Sequence, residues 1–189
     1  MFVNCASPNA DVNSNFTPST GGDVFAVIND PMGSPNDSTY AYLDGVDAQN
    51  QDVEYPEFSL GSNVEKILFL YVEGRFFDTL GAGDIMRNLL YVDSTRFSGE
   101  NHNTTTTPTS YRDYYPTNPK TGLPWTQADI EGTGPNPLAY AGCRAIATAG
   151  NQCRISQQFM CVYHQENETG RIVRTIAQPI VKSITQDIA

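Results

Sequence analysis

The 189-residue sequence predicts an all-β fold, an antiparallel β-sandwich with jelly-roll-like connections and a C-terminal extended arm. Runs rich in β-branched and aromatic residues alternate with polar stretches, and one central run is apolar on both faces. The chain also holds 15 Gly and 12 Pro, which favour frequent turns. We predict three parts: an N-terminal extension over residues 1–10, a β-sandwich domain over residues 11–165 and the arm over residues 166–189.

The central run is Val64–Phe77. Residues of both parities are apolar in its middle and charged toward its ends, which is the pattern of a strand covered on both sides. A helix of this length is the alternative, but the β-branched and aromatic content favours a strand. We therefore expect Leu68, Phe69, Leu70 and Tyr71 to be shielded between two stacked sheets.

Further strands are predicted on either side of this run from the same composition and from the turn residues between them. Before the run, the predicted segments are a strand at Asp23–Asn29, a strand at Thr39–Leu43, a loop or weak edge strand at Asp44–Pro56 and a short strand at Phe58–Leu60. After it, the predicted segments are a strand (with a helix as the alternative) at Ile85–Val92, an exposed loop at Asp93–Thr109 and a strand at Ser110–Tyr115.

The last two predicted strands of the sandwich are Ala139–Thr148 and Gln152–Tyr163. Ala149, Gly150 and Asn151 join them, which predicts a hairpin. One parity of the second strand carries most of its bulky apolar residues and is predicted to face the core. Its members are Cys153, Ile155, Gln157, Phe159, Cys161 and Tyr163.

Trp125 is the only tryptophan and precedes a predicted helical turn over Gln127–Glu131. Thr126 and Asp129 have the spacing of a capping box, and Trp125 with Ile130 have the spacing of a hydrophobic staple. This pattern predicts that Trp125 closes one end of a β-core. Stacking against a carbohydrate is the alternative role for this indole.

The segment Gly170–Ala189 repeats isoleucine at every fourth residue. A strand would place all five on one face, whereas a helix would spread them around its surface, and Pro179 disfavours an uninterrupted helix. We predict an arm that assembles on a neighbouring subunit or a sheet edge, with an ordinary last strand of the same sheet as the alternative. The predicted assembly residues are Ile172, Ile176, Ile180, Ile184 and Ile188.

The net charge is −10, and no Lys or Arg occurs before Lys66. Nucleic acids and anionic membranes attract basic surfaces, so we expect neither as a partner. We also expect no membrane-spanning helix, because no stretch approaches the ~18 apolar residues that one needs. The first residues lack the basic and apolar regions of a signal peptide.

The sequence contains no recognisable catalytic motif, and we predict no enzymatic activity, no metal and no cofactor. A zinc site is not predicted, because the sequence has only two histidines, His102 and His164, and no closely spaced pair of cysteines. The four cysteines, Cys5, Cys143, Cys153 and Cys161, are predicted to be free thiols packed as small apolar groups. The abundant carboxylates leave a sandwich-fold glycoside hydrolase as a remaining alternative.

Two stretches resemble β-sandwich domains that recur in structural proteins of tailed phages. The first is DVNSNFTPSTGGDVFAVIND followed by SPNDSTY, and the second is TSYRDYYPTNPKTGLPWTQADIEG. The resemblance covers about Asp11 to Tyr163 and implies a jelly-roll or concanavalin-like sandwich on a virion surface. The residues that match in the second stretch are Asn118, Pro119, Thr121, Gly122, Trp125, Thr126, Asp129 and Ile130.

The function predicted first is therefore a non-enzymatic structural protein located in the virion, such as a capsid decoration protein. It is expected to form homo-oligomers and to contact a major capsid or tail protein through edge strands and the arm. The alternative is a glycan-binding module of a fibre or adhesin. Its predicted stacking residues are Tyr111, Tyr114, Tyr115 and Trp125.

Overall fold

A computed structural model describes residues 1–13, 15–44, 48–81 and 83–167. These residues form two six-stranded sheets in which every strand pair is antiparallel. The predicted antiparallel β-sandwich is confirmed. The five isoleucines of the predicted arm, Ile172, Ile176, Ile180, Ile184 and Ile188, lie outside the described residues.

Sheet A contains the two longest strands. Its members are β1 (Phe2–Ala6), β3 (Thr17–Pro18), β4 (Ala41–Asp44), β6 (Val64–Asp78), β10 (Thr109–Tyr115) and β12 (Gln152–Glu166). Sheet B contains β2 (Ala10–Asp11), β5 (Gln49–Glu54), β7 (Ile85–Val92), β8 (Thr95–Ser98), β9 (His102–Asn103) and β11 (Leu138–Ile146). Two short helices accompany them, α1 (Val24–Ile28) and α2 (Gln127–Ile130), and neither is long enough to cross a membrane.

The chain changes sheet at most of its connections, which gives the jelly-roll-like path. In sheet A the strand order is β10, β6, β12, β4 and β3, and β1 pairs with the far part of β12. In sheet B the order is β2, β5, β11, β7 and β8, and β9 also pairs with β7. The main core lies between the sheets, and Leu70, Val72 and Phe76 of β6 are fully buried in it.

The central strand is confirmed, but its two faces have different surroundings. Leu70 faces the core between the sheets, whereas Tyr71 belongs to a separate cluster on the face of sheet A that points away from sheet B. Tyr71 is 3% exposed, and Phe69 and Leu68 are half-buried. The prediction that a sheet covers both faces is therefore wrong for this outer face, where neighbouring aromatic side chains provide the cover.

A helix replaces the strand predicted at Asp23–Asn29. The side chain of Asp11 accepts hydrogen bonds from the backbone amides of Val24 and Phe25 at 2.8 and 2.9 Å, so it satisfies two free donors of the first helical turn. The buried residues of α1 follow at helical spacing, namely Val24, Val27 and Ile28. A contact with a residue far along the chain thus outweighs the β propensity of the segment.

The polar stretch predicted as an exposed loop contains two strands, β8 and β9. Asp93 and Ser94 have φ values of 43° and 61°, which is the left-handed geometry of a tight hairpin turn between β7 and β8. The turn lacks glycine, so the sequence pattern did not reveal it. Thr104, beyond β9, is buried and donates a hydrogen bond to the carboxylate of Asp78.

The predicted hairpin at residues 149–151 is wrong, because β11 lies in sheet B and β12 in sheet A. Asn151 holds this crossing between the sheets. Its amide nitrogen donates to Asp84 at 2.6 Å, and its amide oxygen accepts from the backbone amides of Thr79 and Leu80 at 3.1 Å. Asn151 therefore ties the β11–β12 crossing to the neighbouring β6–β7 crossing.

The predicted core face of β12 agrees with the structure only as far as Ile155. A β-bulge at Ser156 adds one residue opposite β6, between the pairs Ile155–Phe76 and Gln157–Arg75. An extra residue exchanges the two faces of a strand. Beyond it Met160 and Val162 face the core, while the residues predicted to be internal, Gln157, Phe159, Cys161 and Tyr163, face outward.

The remaining segments fill the ends and edges of the sandwich. Trp125 is buried in the core as predicted, and the capping box of Thr126 and Asp129 is present at the start of α2. The segment Phe58–Leu60 forms no strand, although both terminal residues of it are buried. Strand β5 lies between β2 and β11, so it is not an edge strand.

The N-terminal residues are part of the sandwich. Residues 2–6 form β1 at the edge of sheet A, and Ala10 begins β2 of sheet B. Cys5 and Cys161 are directly opposite each other and form a disulfide, so the prediction of free thiols is wrong for this pair. Pairing across 156 residues of sequence brings them together, which spacing along the chain does not reveal. Cys143 and Cys153 are buried free thiols, as predicted.

Candidate functional site

The outer face of sheet A carries a cluster of five aromatic side chains, which we call the aromatic face. Strand register brings them together from three adjacent strands, because Tyr71 of β6 lies opposite Tyr114 of β10, and Phe69 of β6 lies opposite Tyr163 of β12. The members are Phe69, Tyr71, Tyr114, Phe159 and Tyr163.

The rings of the aromatic face differ in their exposure. Tyr71 and Phe159 are each 3% exposed and meet edge to face, with their centroids 6.1 Å apart. Phe69 and Tyr163, which are paired across β6 and β12, stack at 4.5 Å and are half-buried. Tyr114 lies 5.6 Å from Tyr71 and 5.8 Å from Phe69, and it is 56% exposed. Packing among the rings limits their rotation, so the exposed rings are held in place before any ligand arrives.

An ion pair borders the aromatic face, two residues along β6 and β10 from the pair of Tyr71 and Tyr114. Arg112 of β10 lies opposite Glu73 of β6, and its Nε donates to the Glu73 carboxylate. The guanidinium carbon also lies 5.1 Å from the centre of the Tyr71 ring, within the range of a cation–π contact. The hydrogen bond to Glu73 raises the pKa of Arg112. The Arg112 side chain is 49% exposed, which leaves its outer N–H groups facing solvent.

The phenol of Tyr71 is neutral at physiological pH. Burial raises its pKa to about 12, although the nearby Arg112 acts in the opposite direction. The aromatic face therefore carries hydroxyl groups and an arginine beside apolar rings, and it places no ionised phenolate at Tyr71.

The disulfide extends this face toward the edge of the sheet. Cys161 lies opposite Tyr71 on the β6 side and opposite Cys5 on the β1 side. The bond therefore fixes β1 next to the aromatic face, where Val3 is 46% exposed and lies opposite Tyr163.

Only one of the four predicted stacking residues belongs to the aromatic face. Tyr114 is part of it, because β10 alternates and Tyr114 points outward. Tyr111 points the other way, where its ring stacks 4.7 Å from His102. Tyr115 and Trp125 are 8% and 3% exposed in the core, and the indole N–H of Trp125 donates to the Tyr115 carbonyl at 2.9 Å. The four residues do not converge, and the stacking role is wrong for the two buried ones.

The four other members of the aromatic face lie where the sequence predicts core. The pattern of Val64–Phe77 predicts cover on both sides for Phe69 and Tyr71, although Glu73 and Arg75 follow at the same parity and indicate an outer face. The parity of β12 predicts Phe159 and Tyr163 in the core, because the bulge at Ser156 leaves no clear mark in the sequence. The polar residues at alternate positions of β6 are the one sequence feature that indicates this face.

Away from the aromatic face, the described residues include buried carboxylates at the sheet crossings and a cavity beside α2. No group of three or more His, Cys, Asp or Glu residues in this part of the chain has the arrangement to hold a metal ion. The carboxylates of Asp78 and Asp84 accept hydrogen bonds from Thr104 and Asn151 at the sheet crossings. A cavity of about 290 Å³ lies beside α2, with Tyr55 and Phe58 among its lining residues.

The described strands define the class of the protein as an antiparallel β-sandwich. No protein-family profile and no curated protein matches the sequence. Among solved structures, the chain is similar to “BiXyn10A CBM1 APO”, with 10% identity and a TM-score of 0.38, over 87% of this chain and 97% of that one. It is also similar to “CBM29_1, A Family 29 Carbohydrate Binding Module from Piromyces equi”, with 11% identity and a TM-score of 0.38, over 85% and 91% of the two chains.

Proposed function

We propose that this protein is a non-catalytic glycan-binding module that holds its ligand on the aromatic face. The observation that carries the proposal is the group of surface rings Phe69, Tyr114 and Tyr163, which pack against the buried rings of Tyr71 and Phe159. Sugar rings present C–H groups on their flat sides, and these pack against aromatic rings without needing charge. A net charge of −10 is compatible with such an uncharged ligand.

Polar groups at the border of the aromatic face supply hydrogen bonds, which ring stacking alone does not provide. Sugar hydroxyls both donate and accept hydrogen bonds, and the exposed N–H groups of Arg112 and the Tyr114 hydroxyl suit them. The Arg112 side chain is already oriented by Glu73 and by the Tyr71 ring, so less side-chain freedom is lost when a ligand binds. Stacking provides affinity in this arrangement, and the guanidinium provides orientation.

The carboxylates nearest this face favour binding over glycoside hydrolysis. Hydrolysis requires one carboxylic acid whose pKa is raised so that it can donate a proton. Glu73 is paired with Arg112, and Asp37 is paired with Arg75 at 2.7 Å. The hydrogen bond from Arg75 lowers the pKa of Asp37, so this carboxylate is ionised at neutral pH and holds no proton to donate.

The disulfide agrees with a role outside the cytosol. Disulfides persist in oxidising environments such as the cell exterior, the periplasm and virion surfaces. Glycans of cell walls and cell surfaces occur in the same locations. The predicted virion location and the predicted homo-oligomer remain predictions, and glycan binding is compatible with both.

Glycan-array screening followed by calorimetric titration tests this function. Tyr114→Ala should weaken binding roughly tenfold or more, because it removes the most exposed ring while leaving the buried rings in place. Leu123→Ala is the matched control, since Leu123 is 64% exposed and lies outside the aromatic face. Equal binding by wild type and Tyr114→Ala, or no saturable binding to any glycan, would contradict the proposal.

A further inference from the structure

We propose that the loop of residues 30–39 forms a side wall of the aromatic face and makes the ligand lie across the strands. Met32 at the tip of this loop would contact the ligand, and Asp37 would act as the positioning residue that holds the loop. This inference rests on the proposed glycan-binding function and adds the direction of the ligand and the residues that set it.

Three side chains from the outer face of sheet A anchor the loop. Arg75 of β6 donates two hydrogen bonds of 2.7 Å to the Asp37 carboxylate, and Ser156 of β12 donates a third at 2.6 Å. The amide of Gln157 donates to the carbonyl oxygens of Asp30 and Pro31 at 3.1 and 2.8 Å. Both ends of the loop are therefore fixed to the sheet.

The side chains that hold the loop lie two residues along the strands from the edge of the aromatic face. Arg75 and Gln157 lie opposite each other, and two residues further along their strands are Glu73 and Phe159, which also lie opposite each other. Two residues of a strand span ~6.8 Å. A ligand lying along the strands would meet the loop within that distance, whereas a ligand crossing them would run beside it.

The path across the strands is long enough for several sugar units. It leads from Tyr114 on β10 over β6 and β12 to Val3 on β1. Three strand spacings cover ~14 Å. The ligand inferred from this path is an internal stretch of a linear oligosaccharide or polysaccharide, and a single terminal sugar would fill only part of it.

The tip of the loop is built to present Met32. The Ser34 amide donates to the Pro31 carbonyl at 3.0 Å, and Gly33 has a φ of 81°, which closes a tight turn that favours glycine at this position. Met32 precedes this glycine and is 54% exposed. At the base, the Asn36 amide donates to the Asp30 carboxylate at 2.6 Å. A flexible thioether in this place can adapt to the apolar side of a sugar.

The experiment follows the methionine methyl resonances of the full chain during titration with soluble cello-, xylo-, manno- and malto-oligosaccharides of increasing length. The Met32 signal should shift on binding, while those of the core residues Met86 and Met160 stay in place. Affinity should rise with ligand length until the path is filled. Asp37→Ala should abolish the Met32 shift and weaken binding of the longer ligands roughly fivefold, because the released loop must be ordered again.

Asp93→Ala is the control, since it removes a surface ion pair with Lys120 that is separate from the aromatic face. Suppose that Tyr114→Ala weakens binding, but that binding leaves the Met32 signal in place and does not respond to Asp37→Ala. This result would contradict the side wall formed by residues 30–39 and would agree with the proposed function. Binding that does not strengthen with ligand length would overturn the path across the strands. No binding of any oligosaccharide would overturn both the inference and the proposed function.

Discussion

Asp113 shows how a single buried carboxylate joins the two sheets. It is on β10 of sheet A and is 5% exposed. It accepts hydrogen bonds from Asn88 on β7 at 2.8 Å, from the Glu100 amide at 2.8 Å and from His102 on β9 at 2.9 Å. Gly99 is required beside it, because a Cβ there would come within 2.3 Å of the carboxyl carbon.

The contribution of Asp113 to stability depends on pH. Burial alone would raise its pKa, but the hydrogen bonds from His102, the Glu100 amide and Asn88 bring the pKa below the ordinary value of 3.8. A lowered pKa in the folded state gives stability that is complete above the ordinary value and is lost as the pH falls through the folded value.

We therefore expect Asp113→Asn to reduce the free energy of unfolding by about 1–3 kcal/mol at neutral pH and by less in acid. Urea unfolding at neutral pH and near pH 3 measures both values. Asp23→Asn is the control, because the Asp23 side chain makes no capping hydrogen bond. An equal loss of stability at both pH values would contradict a role for the ionised carboxylate.

At the scale of elements, β1 and β12 decide where the candidate site lies. The bulge at Ser156 turns Phe159 and Tyr163 to the outer face, and the disulfide fixes β1 beside them. Without this bulge the same side chains would point into the core, and Met160 and Val162 would point outward. One extra residue in a strand thus creates half of the aromatic face.

Reduction of the disulfide should destabilise the chain, because Cys5 and Cys161 close a loop of more than a hundred residues in the unfolded state. We expect a loss of roughly 3–5 kcal/mol, measured as a lower urea midpoint in dithiothreitol, together with faster hydrogen exchange in β1. The double variant Cys5→Ala, Cys161→Ala is the control and should not respond to the reductant. An unchanged midpoint for reduced wild type would show that the bond adds no stability.

At the scale of the whole molecule, the described residues form both sheets of the sandwich. Both sheets are built from strands that end by Glu166, and the Asn167 amide donates to the Asn63 carbonyl at 2.8 Å. The aromatic face occupies one outer surface and forms a cluster separate from the core between the sheets. Replacing an exposed ring of this face, such as Tyr114, should therefore leave the main core intact.

Deletion of Gly170–Ala189 should leave the unfolding midpoint unchanged and remove self-association, because the described strands end by Glu166 and the arm is predicted to assemble on a neighbouring subunit. Light scattering on the full and shortened chains measures their mass in solution. A shortened chain with the same number of subunits as the full chain would show that the arm does not assemble the protein. Glycan binding by the single aromatic face should be retained in either case.

The sequence alone determined the features that depend on local chemistry. The β-branched and aromatic content of Val64–Phe77 predicted the central strand, and the spacing of Thr126 and Asp129 predicted the capped turn behind the buried Trp125. Such features follow from propensity and periodicity within a few residues, so a single sequence contains the information.

Tertiary structure decided the features that depend on partners distant in the sequence. Asp11 converts residues 24–28 into a helix, and the bulge at Ser156 selects the outward face of β12. Cys5 meets Cys161, and Tyr114 meets Tyr71, only through strand register. The sequence does not reveal the aromatic face for the same reason, since side chains on three strands become neighbours only when pairing between distant segments is fixed.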